Sequence, residues 1–293
     1  MKKPIFCGVA TAMVTPFTNT YNIDYKALEN LIELQINGAI DALVILGSTG
    51  EKSTLSIKEH KSVLEFAAKV VDKRVPIIAG TGSNDTSVAV DMTRFAERLG
   101  YNGALVVTPY YNKSTQSGLV KNYYKIADSV NMPIILYNVP QRTGINIEPE
   151  TYVELAKHPN INAVKEASGN IDKIMKCVAN VGDDLYLYSG NDNQILPLLA
   201  LGGVGVISVL SNIDISATKA ILENFFKGDL KAALNAQIAV NELIEALFVE
   251  VNPIPVKYCL YKMGLIKNIL RLPLVKLSRK NQVKLDKLIS YLI

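Results

Sequence analysis

Sulfur and imidazole are scarce in this chain of 293 residues. The three cysteines, Cys7, Cys177 and Cys259, are far apart and form no C-x-x-C pair. That excludes a disulfide framework and a dithiol redox motif, and leaves free thiols in a reducing cytoplasm as the expectation. The two histidines, His60 and His158, belong to no ligand-spaced cluster, so no histidine-based metal site is expected. No apolar run reaches the length of a membrane span. The residues from Ile5 to Val14 after Lys2-Lys3 loosely mimic a leader peptide, but Thr11 and Thr15 interrupt them and Pro16-Phe17 follows without a cleavage-type spacer. They read as a first strand, in a cytoplasmic protein with no membrane partner.

Charge of one sign is also scarce: 31 basic and 27 acidic residues give a net charge of +4. Most of the excess falls at the C-terminal end, where Lys257, Lys262, Lys267, Arg271, Lys276, Arg279, Lys280, Lys284 and Lys287 face only Asp286. These alternate with Leu, Ile and Val at near-helical spacing, which describes solvated faces of amphipathic helices. No nucleic-acid-binding motif accompanies them, so no nucleic-acid partner is expected.

What the chain has is a regular alternation of strand and helix. Apolar runs at Val9–Val14, Ala42–Leu46, Val75–Ala79, Ala104–Val107, Ile134–Tyr137, Ala163–Lys165, Leu185–Tyr188 and Gly203–Ile207 read as strands. Between and after them, segments such as Tyr25–Asn37, Ile57–Val71 and Ile171–Val181 carry apolar residues at helical spacing. Eight such units imply a parallel sheet covered by helices, and a closed (β/α)₈ barrel over residues 1–227. An open doubly wound sheet is the runner-up, but no G-x-G-x-x-G follows the first strand. Residues 228–293 contain no strand pattern and read as a C-terminal three-helix domain, Leu230–Glu250, Ile254–Met263 and Ser278–Leu292.

In a barrel of this kind the functional groups gather at the C-terminal ends of the strands. There the sequence offers Ser48 and Thr49, Tyr110 and Tyr111, Tyr137, Lys165, Gly190 with Asn191, and Ser208. Taken singly, each has a bland reading as a turn, a packing residue or a solvated lysine. Together they place one amine, several hydroxyls and glycine-rich backbone in one mouth. That set suits Schiff-base catalysis, in which a lysine amine attacks a ketone and the iminium serves as an electron sink. An ordinary lysine amine is only about 0.04% neutral at pH 7, so the reaction asks for an amine withdrawn from water. A nearby tyrosine can move protons, and a Gly-Ser-Thr-Gly turn can hold a carboxylate.

Gly47-Ser48-Thr49-Gly50-Glu51, Tyr137-Asn138-Val139-Pro140-Gln141-Arg142-Thr143-Gly144 and Val164-Lys165-Glu166-Ala167-Ser168-Gly169 resemble the motifs of the dihydrodipicolinate synthase / N-acetylneuraminate lyase family. The resemblance extends over nearly the whole chain, including Asn252-Pro253-Ile254-Pro255-Val256-Lys257. It implies a (β/α)₈ barrel of class I aldolase type that needs no metal or organic cofactor. Lys165 would hold pyruvate covalently as an imine. Tyr137 would relay protons, with Ser48 and with Tyr111 reaching the neighbouring subunit's site. Thr49 would hold the pyruvate carboxylate, Arg142 the carboxylate of the second substrate, and Gly190 and Ile207 would line the pocket.

Arg142 decides between branches of the family. The synthase branch has a guanidinium there for L-aspartate-4-semialdehyde, whereas the sialic-acid lyases have an apolar residue. The expected reaction is therefore the condensation of pyruvate with L-aspartate-4-semialdehyde, the first committed step of diaminopimelate and lysine synthesis. A lyase acting on N-acetylneuraminate or a 2-keto-3-deoxy sugar acid is the alternative, and a non-catalytic keto-acid-binding barrel is the alternative of another class. Ser48 departs from the usual Gly-Thr-Thr-Gly-Glu of the synthases but keeps the hydroxyl. The positions matching a lysine-feedback site of some family members are Lys52, Ser53, Ile57, His60, Asn84, Val88 and Tyr110. His60, Asn84 and Tyr110 fit a lysine-binding pattern, but Ile57 removes a polar group, Val88 lacks a carboxylate for the effector's ammonium and Lys52 adds a like charge, so weak or absent inhibition by L-lysine is expected. The family also implies a homotetramer, a dimer of tight dimers.

Overall fold

The computed structural model describes residues 2–293. Eight parallel strands close into a barrel in sequence order, each paired with the next and the last with the first. They are β1 (Gly8–Ala12), β2 (Ala42–Ile45), β3 (Ile77–Gly80), β4 (Gly103–Val107), β5 (Ile134–Asn138), β6 (Ile161–Glu166), β7 (Tyr186–Ser189) and β8 (Gly205–Ser208). This is the (β/α)₈ barrel that the alternation predicts. The strand limits shift by a few residues. Pro76, which has no N–H to give to a ladder, precedes β3 rather than lying in it.

Strand periodicity sorts the side chains into two layers. Val9, Leu43, Ile45, Ile134, Leu136, Val164 and Val206 face the helices and join the larger apolar cluster. Ala10, Ala42, Val44, Ile135, Tyr137, Ala163, Tyr188 and Ile207 fill the barrel interior. Small alanines at three of these inner positions leave room for the tyrosines. Along β6, Ala163 faces inward and Val164 outward, so Lys165 is directed inward and Glu166 outward.

The helices are specified at their starts. Ser56 and Glu59 form a reciprocal capping box on Ile57–Val71, and Asn170 caps Ile171–Val181 directly after the lysine strand. The C-terminal helices are Leu230–Leu247, Ile254–Lys262 and Arg279–Leu288, all three shorter than their apolar patterns suggest. Leu243, Val256, Leu260 and Leu285 join the same apolar cluster as the barrel residues Val206 and Leu210. Among the described residues, no helix is long and apolar enough to cross a membrane.

Candidate active site

At the C-terminal mouth of the barrel lies a cavity of about 290 Å³. Ser48, Tyr137, Arg142 and Asn252 are among the residues that line it. They come from distant parts of the sequence. Ser48 opens a short 3₁₀ turn, Ser48–Gly50, after β2. Tyr137 is the inward residue near the end of β5. Arg142 sits at the cavity's exposed edge on a one-turn helix, Pro140–Thr143. That helix does not appear in the periodicity of the sequence, although Pro140 at its first position and Gly144 in the left-handed conformation after it (φ 70°) are its start and stop signals.

Lys165 pairs in register with Tyr137 on one side and Tyr188 on the other. Its amine lies 4.5 Å from the centroid of the Tyr137 ring. The residue is 6% exposed, and among the described residues its amine takes part in no hydrogen bond or ion pair. A buried, unpaired amine is costly, and proteins retain such groups where they work. Lys257 makes the contrast. It is fully buried too, but its amine is paired with the Glu51 carboxylate and donates to the Thr15 carbonyl at 3.0 Å.

The two tyrosines beside Lys165 differ in the same way. The Tyr188 hydroxyl donates to the Phe6 carbonyl at 2.8 Å, and its ring stacks on Phe6. The Tyr137 hydroxyl has no hydrogen-bond partner among the described residues. A hydroxyl left free beside an amine and a cavity is available for proton transfer.

Gly190 packs directly against the lysine. A Cβ there would meet the Ala167 Cβ at 2.7 Å and the Lys165 Cε at 3.0 Å, so only glycine leaves the side chain its place. Ile207 lies in the interior layer with Tyr137. Thr49 is 3% exposed, and its hydroxyl accepts a hydrogen bond from the Asn252 amide at 3.0 Å. Lys165, Thr49, Gly190 and Ile207 are not among the residues that line the cavity. Lys165 and Thr49 touch the lining residues Tyr137 and Asn252 respectively, Gly190 packs on Lys165, and Ile207 shares the interior layer of Tyr137. Tyr111 stands apart. It is 93% exposed on a left-handed residue (φ 68°) and does not reach the cavity of its own chain.

Sequence reasoning missed three polar supports. Asp192 is buried in the turn after β7. One of its oxygens accepts from the backbone N–H groups of Val209 and Leu210, both at 2.9 Å. Burial pushes its carboxyl up, while Ser208, those N–H groups and the Lys165 charge pull it back. Glu166, on the outward side of the lysine strand, accepts from the Tyr152 hydroxyl at 2.7 Å, from the Asn138 amide and from the Ser168 N–H. It ties the ends of β5 and β6 together behind Tyr137 and Lys165. Asn252 brings the C-terminal segment into the site, and its carbonyl accepts from Arg142 at 3.1 Å. Asp192 lies in the polar turn Ser189-Gly190-Asn191-Asp192-Asn193-Gln194, which gives no sign that its carboxylate is buried, and Asn252 is marked only by the resemblance of the stretch it begins.

No group of three or more His, Cys, Asp or Glu side chains among the described residues is placed to hold a metal ion.

The chain is similar to known proteins along nearly its whole length. Residues 5–292 match the Dihydrodipicolinate synthetase family. It is 47% identical over 281 residues to the 4-hydroxy-tetrahydrodipicolinate synthase of Acetivibrio thermocellus, covering 96% of this chain and 95% of that one. Among solved structures, the dihydrodipicolinate synthase from Aquifex aeolicus superposes with a TM-score of 0.95 at 41% identity, covering 98% of each chain. The dihydrodipicolinate synthase from Acinetobacter baumannii, complexed with pyruvate, does so with a TM-score of 0.95 at 40% identity over 99% of each chain. With residues 5–292 matched and close relatives spanning its length, the chain belongs to the dihydrodipicolinate synthetase family.

Proposed function

We propose that this enzyme is a lyase that joins pyruvate to L-aspartate-4-semialdehyde through an imine on Lys165, in diaminopimelate and lysine synthesis. The observation that carries the reading is the inward-facing Lys165 amine, unpaired and set against the Tyr137 ring, beside a cavity edged by Arg142. The neutral amine attacks the ketone carbon of pyruvate, and the carbinolamine loses water to give the iminium. Loss of a methyl proton makes the enamine, whose carbon attacks the aldehyde. The amino group of the bound semialdehyde then attacks the imine carbon and expels Lys165, closing the ring. Tyr137 moves the protons with Ser48, and Tyr111 of a neighbouring subunit completes the relay. Thr49 holds the pyruvate carboxylate. Gly190 and Ile207 shape the wall around the imine.

No cofactor enters these steps, since the imine itself is the electron sink. A homotetramer built of tight dimers supplies Tyr111, whose exposure in the single chain fits a role across an interface. The cytoplasm is the compartment this pathway implies. Residues 1–227 are the catalytic barrel, and 228–293 act as a bracing domain that reaches the site through Asn252.

Turnover with L-aspartate-4-semialdehyde, set against N-acetylneuraminate and 2-keto-3-deoxy sugar acids, tests the substrate. Activity confined to the sugar acids would replace this reading with the lyase one. Arg142 supplies the sharper form of the test, because its guanidinium suits the semialdehyde carboxylate and not a polyhydroxylated chain. Arg142→Leu lowers kcat/KM for the semialdehyde roughly 10- to 100-fold while pyruvate trapping by borohydride persists. An unchanged semialdehyde KM in that variant would remove Arg142 from the site.

L-Lysine is expected to inhibit poorly. The amine of Lys52 is turned onto the Gly82 carbonyl at the cavity edge, and burial pulls it down to about 8. His60 lies against the Lys52 carbonyl at 2.8 Å. Val88 offers no carboxylate to an incoming ammonium. In a coupled assay, millimolar L-lysine leaves the rate nearly unaltered. Half-maximal inhibition below the millimolar range would overturn this expectation.

A further inference from the structure

We infer that Asn252 is a positioning residue for pyruvate, acting by fixing the direction in which the Thr49 hydroxyl donates. The inference rests on the proposed role of Thr49 as the holder of the pyruvate carboxylate. Asn252 is 6% exposed and lies just ahead of the helix Ile254–Lys262. Its side-chain amide donates to the Thr49 Oγ at 3.0 Å. That bond occupies an acceptor lone pair of the hydroxyl and is the only hydrogen bond the Thr49 side chain makes among the described residues. A threonine hydroxyl has one proton and two lone pairs. With Asn252 donating to it, the proton is free to point elsewhere, and the group beside it in the reaction is an anion. A carboxylate accepts only, so it needs a hydroxyl whose proton is not already spent on a neighbour.

The same short segment fixes the other end of the turn. Five residues after Asn252, Lys257 pairs with Glu51, two residues after Thr49. Asn252 also touches Arg142, but through its backbone carbonyl, so a change of side chain leaves that contact in place. The two substrates are therefore separable at this residue. The side chain serves the pyruvate end and the main chain serves the aldehyde end.

Asn252→Asp keeps the shape and reverses the polarity of the bond to Thr49. An aspartate accepts the threonine proton and withdraws it from pyruvate. The charge of the aspartate also repels pyruvate directly, so the variant is measured both alone and with Thr49→Val, which has no proton to direct. The expected result is a pyruvate KM raised at least about tenfold by Asn252→Asp in the parent enzyme. The semialdehyde KM, measured at saturating pyruvate, stays within about twofold of the parent because the carbonyl contact to Arg142 survives. In the Thr49→Val background the same substitution costs only a fraction of its effect. Asn252→Leu, which removes the donor without adding charge, repeats the comparison and covers a failure of the aspartate variant to fold. It is expected to raise the pyruvate KM with Thr49 present and to change it little with Thr49→Val.

Equal costs in the two backgrounds overturn the inference, since charge repulsion or loosened packing would act without the hydroxyl. A Thr49→Val enzyme with an unaltered pyruvate KM overturns the assignment of Thr49 itself, and the two failures are told apart by that single variant.

Discussion

Lys165→Ala loses the borohydride-trapped pyruvate adduct altogether, and kcat falls by on the order of 10⁴-fold or more. The trap reduces the iminium to a stable secondary amine, so intact mass reads whether the imine forms and peptide mapping reads where. Besides Lys165 the site offers the buried Lys257 and, at the cavity edge, Lys52, whose amine is held on the Gly82 carbonyl, which makes the location informative. Lys257 has a carboxylate and a carbonyl on its amine. An amine held as an ion-paired ammonium has no free electron pair for a ketone. Lys165 has neither partner and lies 4.5 Å from the Tyr137 ring. All of the adduct is therefore expected on Lys165. Lys165→Arg is expected to be as inactive as the alanine variant, because a guanidinium keeps its charge at any working pH and is a poor nucleophile. Lys165→Ala should melt close to the parent, since it leaves no unpaired ammonium, whereas Lys165→Arg, which sets a permanent charge in a buried site without a partner, should melt lower. A parent enzyme that binds pyruvate but yields no adduct would leave only a keto-acid-binding barrel. An adduct that persists in Lys165→Ala would move the chemistry to another amine.

The barrel was legible because its signal is repeated. Eight apolar strands alternate with amphipathic helices, and each repeat constrains the next. Lys165 was legible because β6 is apolar up to it and because its motif is specific. Its direction follows from strand alternation: with Ala163 inward, Lys165 is inward. Tyr137 follows by the same parity on β5. The strand register then sets the two residues side by side, a relation no local pattern contains.

What was hidden is long-range polar pairing. Glu51 and Lys257 are 206 positions apart, and nothing in either neighbourhood names the other. Asn252 and Thr49 are separated by 203. Asp192 looks like an ordinary turn residue until its oxygen is found on the N–H groups of Val209 and Leu210. Hydrophobic periodicity reports which face of an element is buried, and it is silent about which polar group meets which inside. The short helix carrying Arg142 was missed for a different reason. At four residues it is too brief for a helical period to be counted, so only its Pro140 and Gly144 ends mark it.

The hidden pair also carries the largest expected effect on stability. Glu51 and Lys257 have no exposed side-chain surface, and Glu51 holds a left-handed backbone (φ 51°) between two 3₁₀ turns. One carboxylate oxygen takes the Lys257 amine and the other the Arg271 N–H at 3.2 Å. Removing one member strands the other where neither side chain has exposed surface. Glu51→Gln is therefore expected to lose about 3–5 kcal/mol in urea unfolding, as measured for broken buried pairs. The loss depends on pH with a defined sign. Burial pulls the Lys257 ammonium below its ordinary value, and Glu51 pulls it back up. Without Glu51 the burial effect is unopposed, so folded Lys257 releases its proton at a lower pH than the unfolded chain does. Between those two values the unfolded chain binds more protons, and the stability of Glu51→Gln rises with pH until the unfolded lysine also titrates, near 10.4. Replacing both partners, Glu51→Leu with Lys257→Met, removes both charges together and is expected to cost less than either single change. The remainder reflects the Thr15 carbonyl and the Arg271 N–H, which lose their partners. Because the pair fixes the turn that carries Thr49, the single variants should also raise the pyruvate KM. A double variant as unstable as the sum of its singles would mean that the two groups stabilise the fold independently, and the pair would then be a contact without coupling.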